Sequence, residues 1–241
     1  MRVLVAAPPK TGNVWLEKLL SSAFGLQWVR EAPPLDYWVS SNAGGLREFL
    51  ALDRFPEAAI CHQHFWPSRE LFDLAGEWNI ALATTLRDPY DQFVSWYWYI
   101  QRFSSAFLAA NDPGAVAIGK AIDDPEVLTL LATRFGRFLD QGGAWLESRR
   151  SLIVRYEDLQ SRPAEVIGYA GEQWGLPQVL PADQAIALAS ADALRQLSPD
   201  LRLHVRAARI GDWREHLTEQ HLEIFRTHHR ERIERLGYLV Q

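Results

Sequence analysis

The sequence holds a single cysteine, Cys61, which excludes an internal disulfide and suits a reducing compartment. It has no apolar run approaching the roughly 20 residues that a membrane-spanning helix needs. It opens directly on a strand-like segment, without the charged n-region, long apolar stretch or cleavage site of a leader. A cytoplasmic protein with no membrane attachment is therefore expected. Positive charge is not in excess: 25 Lys and Arg against 30 Asp and Glu give a net −5, which argues against general affinity for nucleic acid. Any anion site must be built locally. His62 and His64 form an i, i+2 pair, but no other Cys/His cluster offers a third and fourth ligand, so no metal centre is expected. No repeat or low-complexity linker divides the 241 residues, and an apolar content of 48% suffices for a full core.

What is present is alternation. Short β-rich runs at 2–7, 58–62, 80–86 and 151–156 alternate with helical patterns. That order argues for parallel βαβ units and an α/β fold, a single domain over 1–241 with a central parallel sheet flanked by helices. A helix over 14–24 places Trp15, Leu16, Leu19, Leu20 and Phe24 at helical spacing. Asp88 suits a helix N-cap, Pro89 the first helical position and Asp91 the first turn. Further helices are expected within 125–148, broken near Gly142-Gly143, and over 163–174 and 215–236. The stretches 30–45 and 104–124 read as loops, of the kind that wall a substrate site.

The first strand runs into Pro8-Pro9-Lys10-Thr11-Gly12-Asn13-Val14-Trp15-Leu16. A strand, a short turn holding lysine, hydroxyl and glycine, and then a helix start together make a seat for an anion. The first N–H groups of a helix have no intrahelical partner, the helix dipole adds partial positive charge, and Lys10 adds a full one. The loop is not the GxxxxGK[ST] pattern, because its lysine precedes its only glycine.

Four further segments sit where strands end or helices begin, positions that converge on one crevice in an open α/β sheet. Cys61-His62-Gln63-His64-Phe65-Trp66-Pro67 offers two histidines, each either structural or a general base titrating near neutrality. Arg87 at a strand end and Ser95 on the next helix suit a phosphate, or Arg87 and Asp88 form a surface ion pair. Asp91 and Ser95 are four apart and share a face. Tyr156, in Tyr156-Glu157-Asp158-Leu159, either stacks on a base or packs inside. Arg206-Ala207-Ala208-Arg209-Ile210-Gly211-Asp212-Trp213 is a basic turn, which alone reads as a solvated loop.

In order and spacing these segments resemble the sulfotransferases that use 3′-phosphoadenosine 5′-phosphosulfate (PAPS), over nearly the whole chain. Residues 9–16 are similar to that family's PKSGTTWL loop, Arg87 through Ser95 to its R-x-x-x-D-x-x-x-S segment, and 156–159 to its YEDL motif. Arg206 with Gly211-Asp212-Trp213 resembles its R-K-G-x-x-G-D-W segment, and His64 falls at its catalytic histidine. The resemblance implies a three-layer architecture like that of P-loop NTPases. It implies sulfuryl transfer from PAPS, leaving PAP, to a hydroxyl or amine of a small-molecule acceptor, without a metal. By the same resemblance His64 is the base, with His62 beside it, and Lys10 faces the leaving phosphate oxygen. Thr11, Gly12, Asn13, Val14 and Trp15 surround the 5′-phosphate end, Arg87, Ser95 and Arg206 hold the 3′-phosphate, and Tyr156 lies near the adenine.

The departures from that pattern are specific. Val14 stands where the family has threonine. His62 stands where it often has lysine; a neutral imidazole there donates one hydrogen bond and no full charge. Ala207 and Ala208 replace Lys-Gly, and Arg209 compensates if its turn points it inward. Glu31 is the alternative base, since some relatives use a glutamate. Arg214, Thr218, Glu219 and Glu223 fall on the family's dimerisation pattern, with Glu219 in place of a buried valine, so a monomer or weak homodimer is expected. Trp66, Tyr97, Trp98, Tyr99, Tyr37 and Trp38 either wall the acceptor pocket or belong to the core. The competing readings are a P-loop nucleotide kinase or NTPase and a catalytically silent nucleotide-binding protein.

Overall fold

Five parallel strands form the centre of the computed structural model, which describes residues 1–35, 43–102 and 113–241. They are β1 (Arg2–Ala6), β2 (Gln27–Trp28), β3 (Ala59–Gln63), β4 (Ile80–Leu86) and β5 (Leu152–Arg155), in the order β2-β3-β1-β4-β5. β1 is buried along its length and lies between β3 and β4, with Val5 opposite both His62 and Ala83. The chain builds the β2–β3 side first and then crosses to β4 and β5. The connections therefore diverge at the carboxyl end of β1, where an open α/β sheet leaves a crevice.

Alternate β1 residues face opposite layers, as the pleat requires. Val3 and Val5 pack with Leu16, Leu19 and Leu20 of α1 (Asn13–Phe24), Leu159 of α7 (Tyr156–Ser161), Ile167 of α8 (Pro163–Trp174) and Ala185 of α9 (Ala182–Leu188). Leu4 and Ala6 pack with Leu46 of α2 (Gly44–Ala51), Leu71 of α3 (Arg69–Glu77) and Trp145 of α6 (Gly136–Ser148). A third, aromatic cluster joins Phe93 and Trp96 of α4 (Pro89–Arg102), Leu131 of α5 (Pro125–Thr133) and Phe225 of α12 (Glu219–Arg235). The short helices α10 (Ala191–Leu197) and α11 (Pro199–His204) lead towards the crevice. No helix among the described residues is long and apolar enough to cross a membrane.

The sequence expectations hold for the four longer strands, α1, α4 and α8. Two are corrected. The break within 125–148 falls between Thr133 and Gly136, and Gly142 and Gly143 lie inside α6. A Cβ on Gly142 would sit 3.0 Å from Leu236 Cδ2, and one on Gly143 2.7 Å from Arg235 Nε, so both glycines let the end of α12 approach. The last helix starts at Glu219 and not at 215: Asp212–Glu215 is a 3₁₀ turn, and Thr218 with His221 forms a reciprocal cap. The edge strand β2 is too short to show a period. Of the two expected loops, residues 36–42 (with Tyr37 and Trp38) and 103–112 lie outside the described residues.

Candidate active site

A cleft of about 400 Å³ opens at the carboxyl ends of the strands, and all five sequence segments reach it. Lys10, Gly12, Asn13, Val14 and Trp15 line it, as do His62, His64, Arg87, Ser95, Tyr156 and Arg206.

The loop between β1 and α1 is shaped by its own polar groups. Thr11 is buried, with its hydroxyl 2.8 Å from the Pro8 carbonyl and 2.6 Å from the Thr85 hydroxyl. Its side chain therefore supports the turn and does not line the cleft. Gln92 of α4 donates to the Pro9 carbonyl at 2.7 Å. Lys10 (φ 64°) and Gly12 (φ 105°) take left-handed conformations, and a Cβ on Gly12 would lie 2.8 Å from Tyr156 Cδ2. Gly12 caps α1 with no side-chain hydrogen bond, which leaves the first-turn N–H groups for a ligand. Lys10 Nζ lies 4.3 Å from the centre of the Tyr99 ring, and Trp15 meets Tyr156 edge-on at 5.6 Å.

A second cationic group faces the same cleft. The buried Arg87 guanidinium lies 4.0 Å over the Tyr156 ring and donates to the Arg209 carbonyl at 3.2 Å, while its Nε is buried with no hydrogen-bond partner. Ser95 stands two turns along α4. Arg206 lines the cleft while ion-paired with the buried Asp212. Burial works against a charge on Asp212, but the hydrogen bonds and charges of Arg206 and Arg209 outweigh it and hold its pKa below the ordinary value. Arg209 does not line the cleft: its guanidinium turns out to Asp212 at 2.6 Å and Glu215 at 3.0 Å. It thus does not replace the missing Lys-Gly contacts; Ala207 and Ala208 line the cleft there. Asp91 does not join Ser95 on the ligand face either. It is buried and accepts the N–H groups of Gly211 (2.7 Å) and Trp213 (2.9 Å), fixing the basic turn to α4. Arg195 of α10 holds the other end of that turn through the carbonyls of Val205 and Arg206.

The two histidines have different partners. His64 Nδ1 is 2.8 Å from the Ala7 carbonyl, which can only accept, so Nδ1 carries the hydrogen and the neutral ring keeps its lone pair on Nε2. His62 Nδ1 is 2.7 Å from Oε2 of the buried Glu17. Burial disfavours charge on His62, but the attraction of Glu17 and its hydrogen bond outweigh both burial and the opposing Lys10, so its pKa is raised. Gln141 and Trp145 of α6 donate to the carbonyls of His64 and Phe65 at 2.8 and 2.9 Å and set this segment.

Glu31, the alternative base, does not line the cleft; it is exposed and pairs with Arg54 at 2.9 Å. Of the aromatics weighed for the acceptor, Tyr99 lines the cleft. Tyr97 is buried and donates to the Lys120 carbonyl, Trp98 packs on His216, and Trp66 lies under Arg137. Among the described residues Asp212, Glu215 and His216 gather potential metal-ligand atoms within 4.8 Å, but Arg206 and Arg209 already neutralise the carboxylates. Sequence reasoning missed Glu17, Gln92, Gln141 and Arg195. Glu17 alone left a signal, an acidic residue flanked by Leu16 and Leu20 on the buried side of α1.

The family model for the sulfotransferase domain matches residues 1–237. No curated protein matches the chain. Among solved structures the chain is similar to mouse sulfotransferase SULT7A1 complexed with PAP, at TM-score 0.71 and 17% identity over 97% of this chain and 84% of that one. It is also similar to retinol dehydratase in complex with androsterone and inactive cofactor PAP, at TM-score 0.60 and 12% identity over 97% of this chain and 80% of the other. At such identities the likeness is one of fold, and it bears out the three-layer α/β architecture expected from the sequence.

Proposed function

The chain belongs to the sulfotransferase family, and from that premise we propose that its cleft takes PAPS and passes the sulfuryl group to a hydroxyl or amine of a small molecule. Sulfuryl transfer is the family's chemistry. The observation that supports this donor is the meeting of two separate cationic seats in one cleft. One is Lys10 with the start of α1; the other is Arg87 with Ser95 and Arg206. A nucleotide phosphorylated at both 5′ and 3′ positions fills both seats, whereas a single phosphate chain leaves the second unused. The structurally similar sulfotransferase and retinol dehydratase were solved with PAP, in keeping with this reading.

The donor supplies an activated sulfuryl group on its 5′-phosphate. His64 Nε2, the ring's acceptor nitrogen, takes the proton of the attacking acceptor as the new bond to sulfur forms. The bond from sulfur to the bridging oxygen breaks, and the electron pair leaves with PAP. Lys10 and the first N–H groups of α1 face the charge that builds on that oxygen. Val14 offers a backbone N–H but no hydroxyl. Arg87, held against Tyr156, and Arg206, held by Asp212, fix the other end, so that catalysis is largely positioning.

Incubation with radiolabelled PAPS and a panel of phenols, alcohols and amines tests this reading. Label is expected to reach at least one acceptor with the native protein, and at a rate about 10²–10⁴-fold lower with His64→Ala. Equal transfer by that variant would remove His64 from the mechanism.

A further inference from the structure

Glu17 lies on α1 with its side chain 1% exposed. Its Oε2 meets His62 Nδ1 at 2.7 Å, and its Oε1 is buried without a hydrogen-bond partner. A buried carboxylate of this kind is costly unless a cation neutralises it. The opposite nitrogen of His62 makes no hydrogen bond among the described residues, and the ring lines the cleft. We propose that Glu17 is a positioning residue that locks the His62 ring with Nδ1–H on its carboxylate and keeps the imidazole cationic, so that Nε2–H serves as a fixed charged donor to the sulfuryl oxygens of the donor nucleotide. This rests on the function proposed above and deepens it.

The neighbours of the ring support the assignment. Among the described residues Glu17 from α1 is the anion against it, and Lys10 from the loop is the opposing cation. His64 stands with its ring 5.8 Å away, and the nearby Cys61 thiol is kept protonated by burial and by Glu17. The direction of the His62 ionisation, upward despite burial, agrees with the geometry. Two histidines two positions apart thus receive opposite roles from their Nδ1 partners. The carbonyl on His64 makes a base, and the carboxylate on His62 makes a cation.

The test combines NMR of histidine-labelled full-length protein with calorimetric titration of PAPS and PAP. In Glu17→Gln the titration midpoint of His62 falls, and the preference for PAPS over PAP drops about tenfold, the worth of one charged hydrogen bond. PAP itself binds as in the native protein. His62→Lys supplies a cation without help from Glu17. In the native protein PAPS affinity declines on the alkaline side as His62 loses its proton; in His62→Lys that decline disappears, and Glu17→Gln/His62→Lys regains the PAPS preference. An unchanged midpoint or unchanged preference in folded Glu17→Gln overturns the proposal. If Glu17→Gln does not fold, an alkaline decline that persists in His62→Lys overturns it. Failure of the native protein to bind either nucleotide would instead strike the donor assignment.

Discussion

The two histidines of the cleft are set apart by one hydrogen bond each, Nδ1 of His64 on the Ala7 carbonyl and Nδ1 of His62 on the Glu17 carboxylate, and the sequence names these residues without naming the bonds. Lys10, His64, Arg87, Ser95, Tyr156 and Arg206 were legible because each belongs to a short run that follows a strand or leads into a helix. The buried partners Glu17, Gln92 and Asp91 act across 45, 83 and 120 positions, and no local pattern encodes such distances. Arg209 misled because a guanidinium beside a basic turn points wherever acids wait, and here Asp212 and Glu215 wait outside the cleft. His64→Ala should lower kcat by about 10²–10⁴-fold, the usual worth of a general base, while PAP binds with unchanged affinity in calorimetry. Ser95→Ala should weaken PAP by about 3–10-fold, as one hydrogen bond predicts, and leave adenosine 5′-phosphate unaffected.

At the scale of elements, helix starts and breaks decide where the site sits. The strands were legible from apolar runs bounded by turns. The break after Thr133 was not, because the glycines inside α6 are there for contact with Leu236, Leu86 and Arg235 rather than for a turn. Gly12→Ala asks a left-handed position to carry a side chain 2.8 Å from Tyr156. It should cost about 1–3 kcal/mol in urea unfolding and abolish PAP binding with the far-UV spectrum intact. The start of α4 stores a different tension. Asp88 accepts the N–H groups of Tyr90 and Asp91, yet burial first, and then the charges of Asp91 and Glu157, raise its pKa from 3.8 to about 6. A raised carboxyl binds its proton more tightly in the folded state, so stability falls as pH rises from about 4 to about 6 and the full penalty stands above that. Asp88→Asn, whose amide oxygen keeps the cap, should therefore stabilise the protein by about 1–3 kcal/mol near pH 7.5. The gain should fade as the pH falls below about 6 and vanish near pH 4 in denaturant titrations.

Across the whole molecule, β1 is buried between two helical layers and ends in the crevice where the connections diverge, so the scaffold that holds the core together also aims the loop at its ligand. The alternation of strands and helices made this architecture readable from the sequence. The cleft's two cationic seats are its main functional consequence, and they predict selectivity by phosphate position. Calorimetric titration of the native protein with PAP and with adenosine 5′-phosphate tests this most directly. PAP should bind at least about tenfold tighter, with the difference narrowed in Arg206→Lys, which keeps a partner for Asp212 but loses the forked guanidinium. Equal affinity for the two nucleotides, or a PAP preference undiminished in Arg206→Lys together with Ser95→Ala, would contradict a cleft built for a 3′-phosphate.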